Sequence, residues 1–250
     1  MASYMVIGGC SHTAGAEIDG TMDSEYNRSK SFANRFAEKL GYIPINLAIP
    51  GATNTHIART VTSYFDEHKD LVNNKTNDFA VMVNWTECCR LEAPVPFEFD
   101  GDTNTSASWA LIREKYVRVN PGYRGHSVRE RPFTDLMQRF MVENETFCQI
   151  YSLNLVLQLQ WFCKANNYRY FMSSAGYLHT PEYKEWTSRL IRQVDTKHFY
   201  EFRDNYNYAF YEKFKDKGMD SPLAQYGHYG EEAHRLHAED LYNYFKKANV

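Results

Sequence analysis

Two rhythms of apolar and polar positions alternate along this chain. Tyr4–Gly8 is a short apolar run that ends in glycines, the pattern of a buried strand closed by a tight bend. From Ser31 to Gly41 the residues Phe32, Phe36 and Leu40 recur at spacing four, which predicts an amphipathic helix closed by Gly41. Pro44–Ile49 reads as a second strand, and Pro50-Gly51-Ala52-Thr53-Asn54 as a turn. From Asn54 to about Lys69, Ile57, Val61, Tyr64, Phe65 and His68 form a helical stripe, with Thr53 or Asn54 as its N-cap. Residues 78–84 are continuously apolar, as in a strand buried on both faces of a parallel sheet. The order β-α-β-α-β predicts a parallel sheet with helices on both faces.

Residues 88–131 break that rhythm. Pro94, Pro96, Gly101, Pro121, Gly122 and Gly125 punctuate them, and no period is sustained. Their second half, Arg113 to Arg131, carries six Lys/Arg against two Glu. It reads as a lid that attracts an anionic substrate or as a solvated surface excursion. Helical spacing resumes from Pro132 or Thr134 to about Lys164, with a break expected near Asn144 or Cys148. Tyr168–Ser173 is a fourth strand, 181–194 a helix, and His198–Phe202 a short fifth strand. Residues 204–217 are charged and aromatic and give no clear element. Glu231–Lys247 carries Ala233, Leu236, Leu241, Tyr244 and Phe245 on one face, a closing helix. The expectation is one α/β domain over 1–250, a three-layer α/β/α sandwich around a parallel sheet of about five strands, with a lid-like insertion at about 93–135.

Composition narrows the partners. The 250 residues are 43% hydrophobic and 24% charged with a net charge of −3, so no overall basic field supports a nucleic-acid partner. Aromatic content is 16%, with 19 Tyr, which suits the walls of sugar or base pockets and equally a polar-edged core. Cys10, Cys88, Cys89, Cys148 and Cys163 are odd in number and lack a C-x-x-C. That argues against a disulfide framework or a cysteine zinc site and fits a reducing compartment. The N-terminus enters a strand without a basic leader, and no apolar run approaches the roughly 18 residues of a membrane span. Cytoplasmic or virion-associated placement, with no membrane partner, is the expectation.

The chemistry collects at loops. Cys10–Ala14, Pro50–Asn54 and Asn84–Glu87 each follow a strand, so a parallel sheet brings them to one edge. A fourth loop, Gln225–Gly230, carries His228 into the last helix. Ser11, on the first bend, is either a nucleophile or a turn cap. With Ser11 attacking and His228 moving its proton, the Ser11 N–H, the Gly51 N–H and a side chain from Asn54, Asn84 or Thr86 are candidate oxyanion donors. His12, Trp85 and Arg90 are candidate substrate contacts, Arg90 for a carboxylate or phosphate. Cys10 is the better candidate for a reactive thiol, and Cys88 and Cys89 read as buried structural residues. His234 and His237 lack an H-E-x-x-H context, so no metal is expected. Neither a P-loop nor G-x-G-x-x-G is present.

Together these blocks resemble the SGNH (GDSL-like) hydrolase superfamily, in the divergent form of bacteriophage-encoded members. Gly9-Cys10-Ser11-His12-Thr13 resembles its first block and Asn46–Asn54 its second, with Gly51 as the oxyanion glycine. Val83-Asn84-Trp85-Thr86, followed by Arg90 and Glu92, resembles the third, and His228–His234 the last. The resemblance implies a flavodoxin-like three-layer fold, no metal or cofactor, and esterase, lipase, deacetylase or acyltransferase chemistry on a carbohydrate or small ester. Cys10 stands where the family has aspartate in the first block, and the third block does not read Gly-x-Asn-Asp. The family's acid, three residues before the histidine, is here Gln225. A glutamine accepts a hydrogen bond from imidazole but cannot stabilise imidazolium, and losing that carboxylate costs about four orders of magnitude in rate. Four readings follow: Gln225 orients the ring, Asp220 reaches in from upstream, a backbone carbonyl serves a Ser-His dyad, or hydrolysis is lost. In the last case the chain is a glycan-binding or virion protein; transfer onto a nucleotide or modified DNA base is a further alternative.

Overall fold

The computed structural model describes residues 2–94, 116–119, 139–140, 143–179, 184–204 and 209–250. In chain order the elements are β1 (Ala2–Gly8), α1 (Ser11–Ala14), α2 (Glu25–Lys30), α3 (Phe32–Lys39), β2 (Ile43–Asn46), α4 (Asn54–Glu67), α5 (Lys69–Val72) and β3 (Asn77–Trp85). Then come β4 (Leu91–Pro94), β5 (Tyr116–Val119), α6 (Glu145–Ala165), β6 (Arg169–Ser174), α7 (Lys184–Ile191), α8 (Phe210–Phe214) and α9 (Glu231–Ala248).

Four parallel strands form the sheet in the order β2-β1-β3-β6. Side-chain alternation along the strands divides the core in two. Val6, Phe79, Val81, Val83, Tyr170 and Met172 face Ile57, Val61 and Phe65 of α4 and Leu153, Val156 and Leu157 of α6. Met5, Ile7, Ala80, Met82 and Phe171 face Phe32 and Phe36 of α3 and Leu241 and Phe245 of α9. This is the expected three-layer α/β/α sandwich. A stretch buried on both faces is apolar at successive positions, which is why Met5–Ile7 of β1 and Phe79–Val83 of β3 show no alternation in the sequence.

The fifth strand is a correction. His198–Phe202 contributes a single parallel bridge, Met172 to Phe199, and one further bond from Tyr200 N to Met172 O. A 3₁₀ turn over Thr196–His198 interrupts the backbone before a ladder can form. Phe199 and Phe202 are instead buried core residues at that edge. Of the two N-cap candidates for α4 it is the Thr53 hydroxyl that accepts from His56 N, at 3.1 Å. The break expected near Asn144 falls there, with φ −130° and ψ 46° just before α6. Within the insertion expected at about 93–135, β4 and β5 pair antiparallel in a separate two-stranded sheet. The other residues of that insertion and most of the basic 113–131 stretch lie outside the described residues, as do 132–138.

Candidate active site

The end of β1 sets the site. Gly9 is there because nothing larger fits: a Cβ would lie 2.1 Å from Thr13 Oγ1. That close approach lets the chain turn at once into α1, with Thr13 and Ala14 N–H groups donating to Cys10 O. Gly15 ends the turn at φ +74°, a left-handed cap that glycine adopts without a Cβ penalty. Ser11 thus stands at the first helical position at the carboxyl edge of the sheet. Its backbone N–H is among those with no intrahelical partner. Among the described residues no hydrogen bond holds the Ser11 hydroxyl.

His228 is brought to the same rim by an acid that the sequence reading did not single out. Its Nδ1 lies 2.6 Å from Oε2 of Glu17. Glu17 sits six residues after Ser11, just past the Gly15 turn, and is 1% exposed. The same carboxylate accepts from Gln225 N at 2.8 Å (Oε1) and Tyr226 N at 3.1 Å (Oε2). Its backbone carbonyl accepts from Ser221 Oγ at 2.7 Å, and its N–H donates to Thr21 O at 2.7 Å. The residue holds φ +64°, outside the comfortable range of a side-chain-bearing residue. Such strain persists where surrounding bonds over-determine it, as these five do. Burial pushes the Glu17 carboxyl up. The His228 hydrogen bond and the two N–H donors outweigh it, so the carboxyl titrates below its ordinary range.

Gln225 and Asp220 are therefore displaced from the roles expected of them. Gln225 is exposed and serves through its backbone N–H, not its amide. Asp220 is exposed and forms a backbone bridge with Tyr229. What the loop supplies is donors to an acid arriving from the other end of the chain.

His12 lies beside the pair. Its ring is 5.1 Å from the His228 ring, 5.3 Å from Phe210 and 6.1 Å from Tyr229. Burial, then the charges of His228, His234 and Arg90, hold its pKa well below the ordinary 6.5, so it is a neutral wall. Its buried Nδ1 has no hydrogen-bond partner among the described residues. Arg90 is half-buried and its Nε donates to Glu87 Oε2 at 2.8 Å. Burial opposes its charge, but Glu87 and Cys10 hold its pKa above the ordinary value.

The remaining candidates sort differently from the expectation. Asn84 is buried, donating to Thr13 Oγ1 at 3.0 Å and accepting from Ser173 Oγ at 2.8 Å. It ties β3 to α1 and β6. Asn54 donates to Thr86 O and Ser152 Oγ, both at 3.1 Å, and accepts from Thr86 N at 2.9 Å. Both of its amide protons are spent on holding the third loop, and Thr86 is its partner in that task. Trp85 is 0% exposed and belongs to the same core cluster as Cys10 and Leu153. Gly51 turns at φ +74°, and a Cβ there would meet open space. Cys10 is buried as the residue before α1.

Among the described residues, no group of three or more His, Cys, Asp or Glu could hold a metal ion. No described helix is long and apolar enough to cross a membrane.

No protein-family model and no curated protein matches the chain. Among solved structures it is similar to a psychrotrophic esterase, EstA from Pseudoalteromonas sp., at 12% identity over 99% of this chain and 98% of that one, with a TM-score of 0.44. It is also similar to TesA, at 13% identity over 98% of this chain and 99% of that one, with a TM-score of 0.45.

Proposed function

We propose that this chain is a serine-dependent hydrolase of the SGNH type, acting on a carboxylic ester of a carbohydrate or small molecule. The observation that carries this reading is the 2.6 Å contact between His228 Nδ1 and the buried Glu17 carboxylate. A proton held on Nδ1 by a carboxylate leaves Nε2 as the lone-pair acceptor, the tautomer a general base needs. As Ser11 Oγ attacks the acyl carbon, its proton passes to Nε2 and the carbonyl oxygen takes up negative charge. The Ser11 and Gly51 N–H groups are the donors proposed for that oxyanion. The imidazolium then gives its proton to the departing alcohol. Water repeats the sequence on the acyl-serine, releasing acid and restoring Ser11. Glu17 remains ionised throughout and stabilises the charged ring.

This reading removes the main support for a non-catalytic binding protein, which was the lack of an acid at position 225. The test is hydrolysis of p-nitrophenyl acetate. Wild type is expected to turn over and Ser11→Ala to fall to background. Equal rates for wild type and Ser11→Ala would overturn the assignment, and a folded wild type with no turnover would favour the binding-protein alternative.

A further inference from the structure

The loop that carries His228 is a short hairpin fastened at its base. Ser221 N donates to His228 O at 2.9 Å, and Gly230 N donates to Met219 O at 2.8 Å. Asp220 and Tyr229 form the antiparallel bridge between those two bonds. Gly227, at φ +76°, lets the chain turn back into His228. Ser221 is 5% exposed. Its hydroxyl donates to Glu17 O at 2.7 Å and accepts from Leu223 N at 3.3 Å. One buried residue therefore holds the His228 backbone through its N–H and the Glu17 backbone through its Oγ–H.

We propose that Ser221 is the positioning residue of the Glu17–His228 pair, setting the distance between the two backbones so that carboxylate and imidazole meet in register. Its effect on rate rests on the hydrolase reading; its effect on the pair does not. Glu17 is 204 positions from Ser221 and stands at φ +64°, so its placement depends on bonds from outside its own loop. Gln225 N and Tyr226 N hold only the carboxylate end. The Glu17 N–H is spent on Thr21 O, four residues on, and does not reach the hairpin. Among the described residues, the Ser221 hydroxyl is the hairpin's one hold on the Glu17 main chain. With both ends of Glu17 fixed, the 2.6 Å contact to His228 Nδ1 has little room to lengthen. Acid–base groups need their geometry held within about 0.5 Å, a task that falls to neighbours making no contact with substrate.

The test reads the pair itself and the rate together. A proton in a short hydrogen bond to a carboxylate resonates at low field, and in protein labelled with ¹⁵N-histidine that signal is assigned to His228 by its change in Glu17→Gln. In Ser221→Ala the resonance is expected to move upfield or broaden. In the same variant kcat for p-nitrophenyl acetate is expected to fall about tenfold, with KM within about twofold of wild type. Ser221→Cys, which keeps the size and offers a weak S–H donor, is expected to lie between the two proteins in both measurements. Gln160→Ala is the control for lost stability alone: its amide bonds Gln193 O and Asp195 N and no residue of the site. It is expected to lower the denaturant midpoint and leave resonance and kcat as in wild type. A wild-type resonance in folded Ser221→Ala or Ser221→Cys would overturn the proposal, as would an equal loss of resonance or kcat in Gln160→Ala. The resonance needs no turnover, so it decides the role of Ser221 even if wild type and Ser11→Ala hydrolyse alike, the result that overturns the hydrolase reading.

Discussion

Glu17 is where a single residue decides most. Its carboxylate gathers one imidazole and two backbone N–H groups, and it stands in a left-handed conformation to do so. Glu17→Gln keeps the shape and removes the charge. It is expected to lower kcat by about three to four orders of magnitude, the scale known for losing a triad carboxylate. Steady-state hydrolysis by the folded variant checks this. Gln225→Ala, by contrast, keeps the N–H that matters and is expected to leave kcat within about twofold of wild type. Gln225→Asp is expected to gain nothing, because that side chain is exposed. Nothing in the local sequence marks Glu17. It lies in a stretch of small and polar residues with no helical or strand period, and its partner is 211 positions away. Ser11 and His228 could be singled out as candidates because one follows a glycine bend and the other comes just before an amphipathic helix. The carboxylate that holds His228 could not be, because a three-residue sequence offset from the histidine is only one way to bring a carboxylate to Nδ1.

Among the elements, β1, β3, α4 and α9 were readable because burial and period agree along their length. The short His198–Phe202 run failed as a strand because its apolar residues serve the core at the sheet edge rather than a ladder. Loop residues were hardest to assign, since an asparagine that donates to a loop and one that donates to an oxyanion look alike in sequence. Asn84 illustrates this. Asn84→Ala strips partners from the buried hydroxyls of Thr13 and Ser173. It is expected to cost about 1–3 kcal/mol of stability for polar groups left unpaired. Chemical denaturation beside kcat separates the two roles: an unchanged denaturant midpoint with a hundredfold loss of kcat would restore Asn84 to the oxyanion hole. Thr53→Ala, which removes the α4 cap, is expected to cost about 1 kcal/mol by the same assay.

Across the whole molecule, the layer between the sheet and α9 holds an unusual set of buried, uncharged histidines. His12 and His237 sit well below 6.5, and His234 is pushed down to about 3, in each case by burial first and then by neighbouring positive charges. His237 packs against Phe32, Tyr200, Phe210 and Phe214, and both of its nitrogens are without partners among the described residues. Below pH 6.5 the unfolded chain takes up these protons and the folded chain does not. Stability therefore falls as pH drops, by about 1.4 kcal/mol per pH unit for each such histidine. Glu17 adds to the acid limb lower down: its folded pKa lies below the ordinary 4.5, so its stabilisation is present above that value and is lost as pH falls through the folded one. His237→Phe places an apolar ring among aromatic ones. Its stability-versus-pH curve is expected to be shallower between about pH 4 and 6 by close to one proton. An unchanged slope would show that His237 is charged in the fold.

If Ser11 is a nucleophile armed by a His228–Glu17 pair, a fluorophosphonate probe will label it covalently, and peptide mass spectrometry will map the adduct. A single phosphonyl adduct on Ser11 is expected, absent from His228→Ala and formed far more slowly in Glu17→Gln. An adduct on another residue, or labelling of Ser11 at the same rate in all three proteins, would contradict it.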